Sequence, residues 1–187
     1  MIHFFDIGAN TGSTFDTYLQ HHPELFGSTV YCFEPSPRHL GALLQKAEQY
    51  GDRFKIVVCP FGLSDSRDVL LMHEKVDPQG DSFVPLFTSG LGALVTDRDA
   101  KYWVFALTYS ILDFMIRFVP PPDTAIVKID AECSEYVILS DLLRAPATIL
   151  RQVTQLLVEF HVLEGYDPEK YKAALQAAGR PIENWDL

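Results

Sequence analysis

Phe4-Phe5-Asp6-Ile7-Gly8-Ala9-Asn10-Thr11-Gly12 is the stretch that decides the fold. Phe4, Phe5 and Ile7 make the apolar run of a strand covered on both faces. Gly8 and Gly12 permit positive φ and let a ligand come close to the backbone; Asn10 tolerates the left-handed region better than most residues. The Ser13 hydroxyl is placed to cap a helix in which Phe15, Tyr18 and Leu19 share a face, with Pro23 beyond its end. Strand, glycine loop and helix are the first unit of a nucleotide-binding α/β sheet.

A dinucleotide loop wants G-x-G-x-x-G, so that bare amides and a helix N-terminus meet a pyrophosphate. This loop reads D-x-G-x-N-x-G, with the carboxylate of Asp6 just ahead of the first glycine. A carboxylate there disfavours pyrophosphate and favours a cation. S-adenosylmethionine (SAM) carries an ammonium and a sulfonium and no phosphate, so Asp6 favours SAM. A structural βα turn with an incidental Asp is the alternative.

The chain has 187 residues, 48% of them hydrophobic and 21% charged, which suits one globular domain over 1–187. No apolar run approaches the roughly 20 residues that cross a bilayer, and no basic region precedes the first strand, so a cytoplasmic protein without a membrane partner is expected. Cys32, Cys59 and Cys133 lack zinc spacing and read as reduced core thiols. A net charge of −10 argues against a nucleic-acid partner.

Thr29–Phe33 reads as the second strand. Glu34 stands at its carboxyl end, where such folds place an acid to accept hydrogen bonds from ribose hydroxyls. Ser36 and Pro37 start a helix with Leu40, Leu43, Leu44 and Ala47 as its apolar stripe, and Gly51 stops it. Phe54–Cys59 is a third strand. Gly62–Asp65 and Val69–His73 suggest a short hairpin arm, in which Asp65 either meets an adenine edge or ends a turn. Lys75–Ala93, rich in Pro and Gly, is expected to be a mobile loop over an acceptor site. Tyr102–Thr108 is extended, Ser110–Phe118 helical, and Pro120–Pro122 a stiff connection. Ile126–Asp130 is a core strand ending on a carboxylate, and Ala131–Glu135 turns into a helix carrying Tyr136, Leu139, Leu142 and Leu143. Gln155–His161 is the next strand, with Glu159 and His161 on one face. Pro168–Ala178 is a helix ended by Gly179, after which Arg180–Leu187 has room for one strand. The alternation implies a parallel sheet with ligands at the strands' carboxyl ends, where Asp6, Glu34, Asp130 and Glu159 all fall.

Phe5–Gly12, Phe33-Glu34-Pro35, Leu63-Ser64-Asp65, Ile111-Leu112-Asp113, Val127–Glu132 and Val158–His161 follow one another in the order seen in FkbM-type class I methyltransferases, which the chain resembles from about residue 4 to residue 161. The resemblance implies a Rossmann-like, seven-stranded SAM-dependent fold and methyl transfer to a hydroxyl of a natural product or sugar. By that likeness Asp6, Gly8, Asn10 and Gly12 line the methionine part of SAM and Glu34 holds the ribose, with Ala9, Pro35, Asp65 and Asp130 as further cofactor contacts. Cys133 stands where the family usually has Gly, and helices that often cover the acceptor are absent from the given sequence. A homodimer partner is one way to cover the exposed edge.

Methyl transfer to oxygen needs alignment and removal of a proton. The base candidates are His161, Glu159 and Asp130, with His161 the best matched in intrinsic pKa. Its alternative is an ordinary strand-end histidine. Asp130 with Glu159 also makes a candidate Mg²⁺ pair, although paired acids serve equally to bind SAM and acceptor. Lys128 reads as a strand lysine packed along its stem, and His3, His21 and His22 as surface or helix-end residues. Two rival functions are a SAM-fold interaction module without catalysis and a nicotinamide-dependent oxidoreductase; Asp6 and the missing G-x-G-x-x-G disfavour the latter.

Overall fold

Side chains alternate across the first strand, and that alternation builds two cores. Phe5 and Ile7 pack on one face and Phe4 on the other, all but fully buried. The computed structural model describes residues 1–75, 82–83, 100–131 and 134–185. Its first half runs β1 (Ile2–Ile7), α1 (Ser13–Thr17), β2 (Thr29–Phe33), α2 (Pro37–Tyr50), β3 (Lys55–Cys59), β4 (Gly62–Ser64), β5 (Asp68–Lys75) and β6 (Ser82–Phe83). The second half runs β7 (Ala100–Ser110), α3 (Ile111–Phe118), β8 (Thr124–Ile129), α4 (Glu135–Leu143), α5 (Ala147–Leu150), β9 (Val153–Val158), α6 (Pro168–Ala177) and β10 (Glu183–Asn184).

Six strands form a parallel sheet in the order β10-β9-β8-β1-β2-β3. The chain walks outward from β1 to β3, then returns to β8 on the other side of β1 and walks outward again. The β1/β8 boundary is therefore the switch point, beyond whose carboxyl ends such sheets bind ligands. Phe114 and Met115 of α3, Ile138 and Leu142 of α4 and Leu175 of α6 cover one face. Phe15 of α1 and Leu43 and Tyr50 of α2 cover the other, joined by Trp185. A Rossmann-like α/β fold is what the alternation implied.

Several local expectations are corrected. The sheet has six described strands, with β10 hydrogen-bonded directly to β9, in keeping with the little chain left after α6 for a closing hairpin. Gly12, in the left-handed region at φ 85°, takes the cap position of α1 in place of Ser13, and the helix gives way at Tyr18 to a short 3-10 turn. The buried face of α2 is His39, Leu43 and Tyr50, while Leu44 is exposed. Gly62–His73 is not a closed hairpin: β5 pairs antiparallel with the long β7, and β4 lies parallel to the end of β7 in a second sheet, β4-β7-β5-β6. A turn closed by Asp123 N–H to the Pro120 carbonyl replaces the stiff proline connection. His3 is buried in β1, stacked on Tyr31 and paired with Asp123 at 3.0 Å, so it is no surface residue.

Of the expected loop Lys75–Ala93, only Lys75 and β6 are among the described residues, and the mobile-loop expectation lies outside them, as does Cys133. No helix among the described residues is long and apolar enough to cross a membrane.

Candidate functional site

The glycine loop leaves β1 at the switch point. Gly8 and Gly12 have φ of 76° and 85°, and Asn10 joins them at 48°. A Cβ at Gly8 would lie 1.8 Å from the Asp130 carbonyl oxygen, so only glycine lets this loop rest on the end of β8. The loop amides are used internally. Gly8 and Ala9 N–H both donate to the Phe33 carbonyl at 3.1 Å, and Gly12 N–H to Ala9. Asn10 N–H donates to Glu34 Oε2 at 2.9 Å, and Ser36 N–H to Glu34 Oε1 at 2.7 Å. Glu34 is thereby fixed at the carboxyl end of β2, directly against the loop, with Pro35 beside it.

Behind the loop is a buried ion pair. Asp6 and Lys128 face each other in the β1/β8 register, with Nζ to Oδ1 at 3.0 Å and side-chain exposures of 0% and 3%. Lys128 also donates to the Gly8 carbonyl at 3.1 Å, reaches Asp130 at 3.4 Å and lies over the Trp185 ring. Burial opposes its charge, but the Asp6 and Asp130 carboxylates outweigh burial and hold its pKa above the usual lysine value. Thr14 donates to Asp6 Oδ1, whereas the buried Oδ2 has no hydrogen-bond partner among the described residues. Asp6 is thus closed off behind Lys128. Asp130 and Glu159, by contrast, are partly exposed.

The third part lies where β8 and β9 end. Asp130 N–H continues the ladder to the Ile7 carbonyl and Glu159 N–H to that of Ile129. β9 stops at Val158, so Glu159 and His161 sit just past the strand instead of inside it as the alternation suggested. Two residues of α4 hold His161 there: Glu135 Oε1 accepts its N–H at 2.7 Å and the Tyr136 hydroxyl donates to its carbonyl at 2.7 Å. The His161 ring has Nδ1 3.5 Å from Glu135 Oε1, and Nε2 3.8 Å from Glu159 and 4.0 Å from Asp130. Asp130, Glu159 and His161 are partly exposed, open to a ligand yet held in place.

The structure therefore groups Asp6, Gly8, Ala9, Asn10, Gly12, Glu34, Asp130, Glu159 and His161 at one edge of the sheet. Asp65 is 3.4 Å from Arg144 at the end of α4 and accepts from the hydroxyls of Ser64 and Ser66. Lys128 and Glu135 are site residues that the sequence reading did not assign. Glu135 carried a signal, as the third acid of Asp130-Ala131-Glu132-Cys133-Ser134-Glu135 at a helix start. Lys128 carried only its place two residues before a strand-end carboxylate. No family model, no curated protein and no solved structure matches the chain.

Proposed function

We propose that the chain is a SAM-dependent methyltransferase acting on a hydroxyl of a small molecule, as its resemblance to FkbM-type enzymes implies. The observation that carries the proposal is Glu34 at the end of β2, held against the glycine loop by Asn10 N–H beside the switch point. An acid there is placed to accept from ribose hydroxyls. The acids beyond β8 and β9 suit a ligand bearing an ammonium and a sulfonium. SAM supplies an activated methyl group. The protein's part is to align the acceptor, worth roughly 7–11 kcal/mol in well-oriented reactions, and to take the hydroxyl proton, for which His161, Glu159 and Asp130 are the candidates.

The strand order favours a second reading, because 3-2-1-4-5-6 is also the order of dinucleotide-binding sheets. Against nicotinamide chemistry stand the loop amides, four of which already have acceptors, and the partly exposed carboxylates past β8 and β9. A pyrophosphate needs unengaged donors and the opposite charge.

Calorimetry with S-adenosylhomocysteine and with NADH separates the two. S-adenosylhomocysteine is expected to bind and NADH not. Glu34→Ala should weaken binding by about 1.5–3 kcal/mol through lost charge-assisted hydrogen bonds. Binding of NADH alone, or undiminished S-adenosylhomocysteine affinity in Glu34→Ala, would overturn the assignment. Turnover of labelled SAM on hydroxyl acceptors then distinguishes an enzyme from a non-catalytic module.

A further inference from the structure

We infer that Asp130, Glu159 and His161 form a binding site for a divalent first-row transition ion, of the Mn²⁺ or Zn²⁺ kind, and that Glu135 positions the histidine. One donor atom from each of the three lies within 4.8 Å of the other two. Donors so spaced stand roughly 2.5 Å from a common centre, and small rotations of the carboxylates close that to the about 2.0–2.2 Å of Zn–N and Zn–O bonds. Two oxygens and an imidazole nitrogen are a mixed set. Mg²⁺ keeps to oxygen and holds its waters, whereas imidazole suits transition ions. His161 therefore shifts the choice away from the Mg²⁺ that Asp130 and Glu159 alone would suggest.

Glu135 is the independent observation. It is fully buried, its Oε1 accepts the His161 N–H at 2.7 Å and stands 3.5 Å from Nδ1, an ion-pair distance and not a hydrogen bond, and its Oε2 has no hydrogen-bond partner among the described residues. A carboxylate on the far nitrogen is what orients a metal-ligating imidazole and selects the tautomer with Nε2 toward the ion. Here Nε2 is the nitrogen that faces Asp130 and Glu159. The charge agrees. Lys128 is shared between Asp6 and Asp130, and the carboxylates of Asp130, Glu159 and Glu135 all lie within 4.0 Å of the His161 ring nitrogens, an arrangement whose negative charge suits a cation. Side-chain exposures of 29%, 45% and 22% for Asp130, Glu159 and His161 leave a way in, and coordination positions for oxygen donors. The inference deepens the proposed function, and rests on it only for the ion's role: an acceptor hydroxyl bound there loses its proton more readily. With the ion present, His161 is a ligand and not the base.

The test is a Mn²⁺ titration of the full chain, stripped by chelation, with free Mn²⁺ read by electron paramagnetic resonance. Saturation at one ion per chain is expected. Glu159→Gln and His161→Gln should each weaken binding at least about tenfold, and Glu135→Gln about 10–100-fold, as loss of an outer-shell partner does. Glu48→Gln, on the exposed side of α2, should bind as wild type, and Mg²⁺ at equal concentration should not displace Mn²⁺. Circular dichroism of each metal-free variant establishes that it is folded. Absence of saturable binding, or wild-type affinity in folded Glu159→Gln and His161→Gln, overturns the site. A parallel S-adenosylhomocysteine titration separates the two claims: cofactor binding without Mn²⁺ binding sinks the ion site alone, and Mn²⁺ binding without cofactor binding sinks the methyltransferase reading alone.

Discussion

Lys128 is the residue whose replacement should do most damage. Its ammonium, buried between Asp6 and Asp130, compensates a carboxylate that water does not reach. Lys128→Met would leave Asp6 charged and alone in the interior, a loss of about 3–5 kcal/mol, whereas Lys128→Met with Asp6→Leu should recover most of it. Urea unfolding of the two variants checks this; equal loss in both would show that packing of the lysine stem, and not charge, is what counts. The glycine loop, Glu34 and the strand-end acids were legible in the sequence because turn chemistry and strand ends are local signals. The roles of Lys128 and Glu135 were not, because their partners come from other elements. Asp6 faces Lys128 across the β1/β8 register, and Glu135 meets His161 across 26 residues of chain. The partner of Asp65 was hidden for the same reason: Arg144 lies 79 residues away.

Among the elements, α3 is tied in at its start. Ser110 Oγ accepts from Asp113 N–H at the helix cap and donates to Asp141 Oδ2 on α4 at 2.6 Å. One hydroxyl thus caps α3 and satisfies a buried carboxylate on α4. Ser110→Ala is expected to cost about 0.5–2 kcal/mol, with Ser110→Thr retaining most of the stability, as read by denaturant midpoints. No change in Ser110→Ala would show that Asp141, which also accepts from Leu112 N–H and pairs with Arg144, holds the junction without it. The start of α3 was legible from Ser110 itself. The partner of β5 was not, because β7 lies beyond a long stretch without periodicity and only tertiary pairing chooses it over β4. The end of β9 was read three residues too late because Glu159 and His161 keep the alternation of a strand after its ladder has ended.

For the whole molecule, the buried thiols make stability depend on alkaline pH. Burial pushes the Cys59 thiol up to about 12, and burial together with the Asp6 charge raises that of Cys32. A thiol that is harder to ionise when folded stabilises fully below its unfolded pKa, about 8.5, and that contribution is lost as pH rises through the folded value. Wild type should therefore lose stability steadily above about pH 8.5, and Cys32→Val with Cys59→Val should flatten the fall between there and pH 10, before Lys128 begins to contribute; parallel slopes in unfolding at pH 7, 9 and 10 would refute it. The Asp6–Lys128 pair has a further consequence, for how the chain assembles. β1 and β8 meet only after the intervening chain has been gathered in, a long loop closure of the kind that slows folding. A slip of one residue would put Asp6 opposite Val127 or Ile129 and send every side chain of β1 to the wrong core. A lone charge would then be stranded among hydrocarbon. The pair therefore works as a key that admits one alignment of the two halves of the sheet, and a chain that closes out of frame must open again before it can go on.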